Sequence, residues 1–404
     1  MYADHAGTGH APQGLPQVAF LILFPGFFFY HTALGLGYIG AFMGGYFTPA
    51  ALVLLLPLLF AYAGQLRRSG GPGPGELAFF GFLLYMGAIW VVQVAAGANE
   101  SITRSHLLFL LDAVVVFIIF RLLDVRAVSL QRKALVSLLL MSAIVFTFEQ
   151  DGMFYLSALG LARDPEAVAT YQGFSRSYLF VYLVVSVRLQ SFSARLPLYL
   201  LAGATLYVNG ARSEFVAMLG SVPLIELYRA QQRARLLGLL CAIALAVKLA
   251  LVYGTQYLPE NRTLELLDLS QSTSATLRHQ LNVQALETIA KYPLQGSYAS
   301  YEPGSYAHNI LSAWVDLGLF GFLALVALLL WPLQRLLVQC FLRRNMGQDV
   351  ELPLCLCCTT VLLLLGSHHY HDMLIAATLG SYELYNSRYR AGSNRSSQFS
   401  ASAA

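Results

Sequence analysis

The chain has 404 residues, of which 57% are hydrophobic and only 11% charged. A soluble domain carries about 25% charged residues, so this composition excludes a water-exposed globule and requires a polytopic membrane protein. The formal charge of +4 does not indicate nucleic acid, because the 22 arginines and 3 lysines are scattered through short loops and form no patch.

A bilayer admits only helices or closed barrels, since backbone polar groups find no water in it. Barrel strands alternate apolar and polar over about ten residues. Runs such as Leu107–Phe120, broken only by Asp112, and Ile310–Leu333, broken only by Asp316, exclude that pattern. The expected fold class is all-α, a single integral membrane domain over 1–404. Twelve spans are predicted, at 17–36, 40–63, 78–97, 107–123, 134–149, 176–190, 196–210, 213–229, 236–254, 309–333, 352–367 and 373–387. The first sixteen residues hold no Lys or Arg, so a cleaved signal peptide is not expected. Seventeen basic residues fall on one side of the spans, among them Arg67, Arg121, Arg195, Arg229, Arg335 and Arg390. Seven fall on the other, among them Arg104, Arg176, Arg212 and Arg278. The richer side is predicted to be cytoplasmic, which puts both termini inside and the segment 255–308 outside. Ser69 to Gly75 reads as a turn-rich inner connector, and 391–404 as a disordered cytoplasmic tail. Within spans, Asp112, Lys248 and Asp316 are costly and therefore candidates for function.

The outer side carries the elaborated sequence. Its second longest segment, Glu149–Ser175, holds Glu149, Asp151, Arg163, Asp164 and Glu166. Asn209 to Phe215 is a short loop bearing Arg212 and running into an apolar helix. The longest polar interval, 255–308 between spans nine and ten, is too long an ordered loop to build without a use. Leu258–Leu269 has the mixture of an amphipathic surface helix. A second helix is predicted over Ala275–Tyr292, with Leu277, Leu281, Ala285 and Ile289 on one stripe, Arg278 near its start and Pro293 at its end. Leu294–Ala307 is rich in Gly, Ser and Tyr, suited to close approach by a sugar. The segment ends in Tyr306-Ala-His308-Asn309. The last outer turn, His368-His-Tyr-His371-Asp372, offers three histidines and an aspartate. Metal ligation, contact with substrate or with His308, and a plain polar turn are all open readings of it. The five cysteines lie in apolar spans or on the inner side and read as small apolar residues; none could staple the outer loop.

Three places stand out: Asn209-Gly-Ala-Arg-Ser-Glu-Phe215; Thr276-Leu-Arg278 with Ala285-Leu-Glu-Thr-Ile-Ala-Lys-Tyr-Pro-Leu-Gln-Gly296; and Ala307-His-Asn309 with Leu317-Gly-Leu-Phe-Gly321. Together they resemble the O-antigen ligases and O-antigen polymerases of bacterial inner membranes. Lys291-Tyr-Pro and Ser213-Glu214 depart from the family pattern without removing an expected catalytic group. The resemblance implies a membrane glycosyltransferase working on the periplasmic face. Its donor would be a glycan on undecaprenyl diphosphate, its acceptor a lipid A-core sugar or another glycan, in contact with membrane lipid. In that reading Arg212 and Arg278 bind and neutralise the leaving diphosphate. His308 takes the acceptor proton, while Tyr306, Asn309, His368 and His371 bind substrate, without metal or other cofactor and with inversion. The bland readings are an interfacial anchor for each arginine and a helix-start hydrogen bond for His308. A single dominant outer loop favours ligase over O-antigen or exopolysaccharide polymerase. A transporter would concentrate ionisable residues at the bilayer midplane, whereas here they gather at the outer rim.

Overall fold

A computed structural model of the chain describes residues 14–41, 45–230, 273–343 and 349–402, with the single positions 238, 241 and 248; along 273–275 and 391–402 it describes backbone alone. The ninth expected span and the predicted surface helix of the outer loop, Leu258–Leu269, lie outside the described residues apart from those single positions. The described residues are all-helical and contain no strand.

Six segments are long and apolar enough to cross a membrane. The first joins α1 (Gly14–Leu23) and α2 (Pro25–Gly35). They are separate helices because Pro25 has no N–H to continue the ladder. Four more are α3 (Phe47–Ser69), α4 (Pro74–Ala95), α5 (Glu100–Leu122) and α6 (Val128–Thr147). Two short 3₁₀ turns, Leu156–Leu159 and Pro165–Ala167, punctuate the segment that follows. Then come α7 (Tyr171–Ser186), α8 (Phe192–Asn209), α9 (Arg212–Arg229) and α10 (Thr273–Lys291). The sixth span is α11 (Leu311–Leu337) with the π turn Val338–Leu342, followed by α12 (Glu351–Gly366) and α13 (Met373–Ser402). Several predicted spans are thus helices too short or too polar to qualify by themselves. In α7 every residue from Ser177 to Ser186 is buried, so protein rather than lipid surrounds it, and the lipid-matching length rule does not bind it. At its far end α13 continues helical to Ser402, where composition predicts a disordered tail. Propagating a helix from a packed start costs far less than nucleating one.

Basic residues of the richer side form buried ion pairs between helices. Arg121 Nε lies 2.5 Å from Glu76 Oε1, joining α5 to α4. Arg195 holds Glu226 through two bonds of 2.6 and 2.8 Å, joining α8 to α9. Arg229 pairs with Glu351 on α12 and also donates to the carbonyls of Val187 and Leu189. All six groups are mostly or fully buried, and each finds partners, as burial of charge demands. In the middle of the bundle α13 lies along α5. Gly380 faces the Phe117 carbonyl, and an added methyl would overlap it. This is the small-residue contact by which membrane helices approach closely.

α11 is broken at Gly318, whose φ of 69° and ψ of −175° are not helical. A break inside a membrane frees backbone groups that must find partners. The segment after α10 supplies them: Ser297 N donates to the Val315 carbonyl at 2.6 Å, and Leu319 N donates to the Leu294 carbonyl at 3.1 Å. Gly296, with φ 71°, faces Val315 and Trp314 backbone, while Gly318 faces Leu294 and Gln295. The two glycine-bearing motifs of the sequence therefore meet each other. Tyr85 of α4 closes the same break, donating to the Leu317 carbonyl at 2.8 Å across Gly321.

Candidate functional site

Stitching the segment 294–299 to the broken α11 brings the rest of the outer loop over the bundle end. Asp316, almost fully buried, accepts from Ala299 N at 3.0 Å and from the Tyr301 hydroxyl at 2.8 Å. The start of α11 is held from the other side, where Ile310 N donates to the Leu364 carbonyl at 2.7 Å. Between α10, the loop, α11 and the starts of α7 and α9 lies a cavity of about 820 Å³.

Arg212, Arg278, Tyr306 and His308 all line this cavity. Arg212 reaches it because α8 ends at Gly210 in the left-handed conformation and α9 begins at Arg212. Along the Leu277, Leu281, Ala285, Ile289 stripe, Leu277, Leu281 and Ala285 line the cavity, and Ala285 and Ile289 are also buried with Ala307 and Val315. Gln280, Gln284, Ser300, Tyr301 and Ser305 add hydrogen-bonding groups to that wall.

The other predicted residues sit elsewhere. Asn309 is not among the cavity's lining residues; its amide donates to Asn282 Oδ1 at 3.0 Å and accepts from Leu311 N at 2.9 Å. It thus accepts from the first backbone N–H of α11 and ties that helix to α10, local bonding of the kind Asn makes near a helix start. His371 is packed against the His106 ring, 3.8 Å between centroids, and against Phe109. His368 lies among buried charges. Its Nδ1 bonds Asp372, and its Nε2 is 3.4 Å from Glu214 Oε1. Arg176 completes the group at 3.4 Å from Asp372 and 3.7 Å from Glu214. The turn between α12 and α13 is thereby locked to the first turn of α9, two residues after Arg212.

The electrostatics follow from burial and neighbours. Burial, then Arg278 and His368, push His308 down to about 4, so it is neutral at pH 7 and able to accept a proton. Burial holds His369 and His371 well below the usual histidine range. For His368 burial acts in the same direction, but Asp372 overrides it and raises the imidazole above 6.5. Burial would raise Asp372, yet Arg176 and His368 hold it well below the usual carboxylate range. The Tyr306 ring bridges the two groups of histidines, 4.6 Å from His308 and 4.4 Å from His369 between centroids.

The His368–Asp372 pair carries a testable pH signature. A histidine whose folded value is raised contributes stability fully below its unfolded value of 6.5 and loses it as pH rises through the folded value. Asp372→Asn is expected to cost about 1.5–3 kcal/mol at pH 6. It should also flatten the fall in melting temperature of the detergent-purified protein above pH 6.5. An unchanged alkaline slope would show that His368 is not the group responsible.

Sequence reasoning missed the weight of Glu214 and Arg176. Glu214 looks like a departure from a motif and Arg176 like one more basic residue of the poorer side, and only folding brings them to His368, 154 and 192 positions away. An acid in the first turn of α9 was the available clue. His106, whose Nδ1 is 2.7 Å from the Tyr298 hydroxyl, gave no clue at the head of an apolar run. Among the described residues no group of three or more His, Cys, Asp or Glu is arranged to hold a metal ion. No protein-family model matches the chain, and no curated protein matches it.

Proposed function

We propose that the chain is an inner-membrane glycosyltransferase of about twelve spans, an O-antigen ligase, with the 820 Å³ cavity as its periplasmic active site. The observation that carries this is the convergence of Arg212, Arg278, Tyr306 and His308, from three separate motifs, on one cavity wall. In this reading the donor is a glycan on undecaprenyl diphosphate. Its anomeric C–O bond to phosphate breaks, and the leaving diphosphate takes the electron pair. Arg212 and Arg278 neutralise that charge through bidentate contacts. A lipid A-core hydroxyl attacks the anomeric carbon from the opposite face, inverting it, and its proton passes to His308. A base held near 4 takes the proton only as the new C–O bond forms. A bound diphosphate offsets Arg278 and makes His308 more basic where that is needed. Glutamines, serines and tyrosines on the walls supply the hydrogen-bonding and flat surfaces that sugars require. No metal has a role in this scheme, because the arginines supply the positive charge.

The test is the lipopolysaccharide banding pattern of a deletion strain. Loss of all glycan-capped lipid A, with long chains accumulating on the lipid carrier, is expected. A single repeat unit still joined to lipid A would identify a polymerase instead, and an unchanged pattern would remove both.

A further inference from the structure

A second cavity, of about 700 Å³, runs between α4, α11 and α13. Its walls are small or apolar: Ala78, Gly81 and Phe82 on α4, and Ala324, Ala327 and Leu328 on α11. It opens beside side chains that face outward from the bundle, with Leu84 75% and Phe320 70% exposed. One end is different in kind. Arg335 and Arg390 stand there, Arg335 stacked 4.6 Å over the Trp331 ring. The nearby carboxylate, Glu383, is buried and packs onto Gly73 and Gly75, where added methyl groups would crowd it. The mouth is therefore positive, with a tryptophan at the level where such rings mark the membrane–water interface.

We propose that this groove binds an anionic glycerophospholipid, its acyl chain lying along α11 and its phosphate held by Arg335 and Arg390. Fifteen residues separate Phe320 from Arg335, about 22 Å of helix. That exceeds the roughly 15 Å of hydrocarbon in one leaflet, so the groove covers a leaflet from its headgroup layer inward. Guanidinium groups are suited to phosphate through paired hydrogen bonds, and Arg335 is positioned at that end by the Trp331 ring and the Tyr382 hydroxyl. Arg335 lies 17 residues beyond the break at Gly318, roughly 25 Å along the unbroken part of α11, whereas Ser312 and Val315 of the first cavity lie before that break. The two cavities share no lining residue, so this site does not depend on what the first cavity does.

The detergent-purified protein is mixed with equal amounts of dioleoyl phosphatidylglycerol and dioleoyl phosphatidylcholine, and retained lipid is counted by native mass spectrometry. One phosphatidylglycerol should be kept in preference to phosphatidylcholine. The paired change Arg335→Gln with Arg390→Gln is expected to abolish that preference. Ala327→Phe, which fills the groove, is expected to reduce retention at least fivefold. Leu330→Phe, on the exposed side of the same helix, should retain lipid like the parent. Equal retention of both lipids by the parent would overturn the proposal. So would undiminished preference in the double arginine variant, whose glutamines keep a polar, flexible side chain at each position, or retention lost equally in Leu330→Phe.

Discussion

On the proposed reaction, His308→Ala is expected to lower glycan transfer by about 10²–10⁴ while leaving the chain folded, because a positioned general base would be worth that much in rate. His308 is half-buried at the cavity wall and packs on Tyr306, so its loss empties space beside a solvated cavity rather than in the core. Transfer from a lipid-linked donor would be followed with purified protein in vesicles. The pH profile adds a check that simple damage could not imitate. The free protein holds His308 near 4, so the acid limb of kcat/KM should fall near pH 4, not near 6.5. The limb of kcat should lie higher, because in the proposed reaction a donor diphosphate would offset the charge of Arg278. Stability has the matching sign: an unfolded histidine takes its proton near 6.5 and the folded one only near 4, so His308 destabilises the fold as pH drops through that window. Full transfer by His308→Ala would remove it as the base and leave the cavity without an assigned one.

Gly318→Ala should damage both the site and the fold, at a cost of at least about 3 kcal/mol. Positive φ strains any residue with a Cβ by roughly 1–3 kcal/mol. Here the added methyl would also overlap the backbone of Leu294 and Gln295. Relief of that overlap would break the bonds from Ser297 to Val315 and from Leu319 to Leu294, leaving unpaired backbone groups inside a membrane bundle. The expected readout is a sharp fall in monodisperse yield after detergent extraction, and no transfer from what remains. Gly304→Ala is the control: its φ is also positive, but nothing stands within 4 Å of an added methyl, so it pays strain alone. Equal yields for the two variants would mean that the stitched break does not hold the loop.

Much of the architecture was legible in composition. Eleven per cent charge cannot cover a water-exposed globule, and long unalternating apolar runs leave helices as the only membrane solution. Periodicity and proline gave the helix over Thr273–Lys291 to within a residue or two, because both act locally. Periodicity could not show that α7 is a core helix, since a helix wrapped in protein and one wrapped in lipid are equally apolar. Nor could it show that Arg121, Arg195 and Arg229 would be buried in ion pairs, because their carboxylates lie on other helices.

The sequence by itself determined the solvent, the helical class and the residue types gathered at the cavity: arginines, tyrosines and a histidine in short motifs, each set by neighbours in the chain. Only the tertiary structure decided which of them share a wall. It drew Arg212, Arg278, Tyr306 and His308 together, turned Asn309 to bonds with Asn282 and Leu311, and buried His368 with Asp372 and Glu214 beside Arg176. The physical reason is that a motif specifies local backbone geometry, whereas charge pairing and burial depend on elements brought together from far along the chain. The break at Gly318 joins the two levels. A glycine chosen for its own φ opens a helix, and the freed backbone groups then select the distant segment that must lie against them.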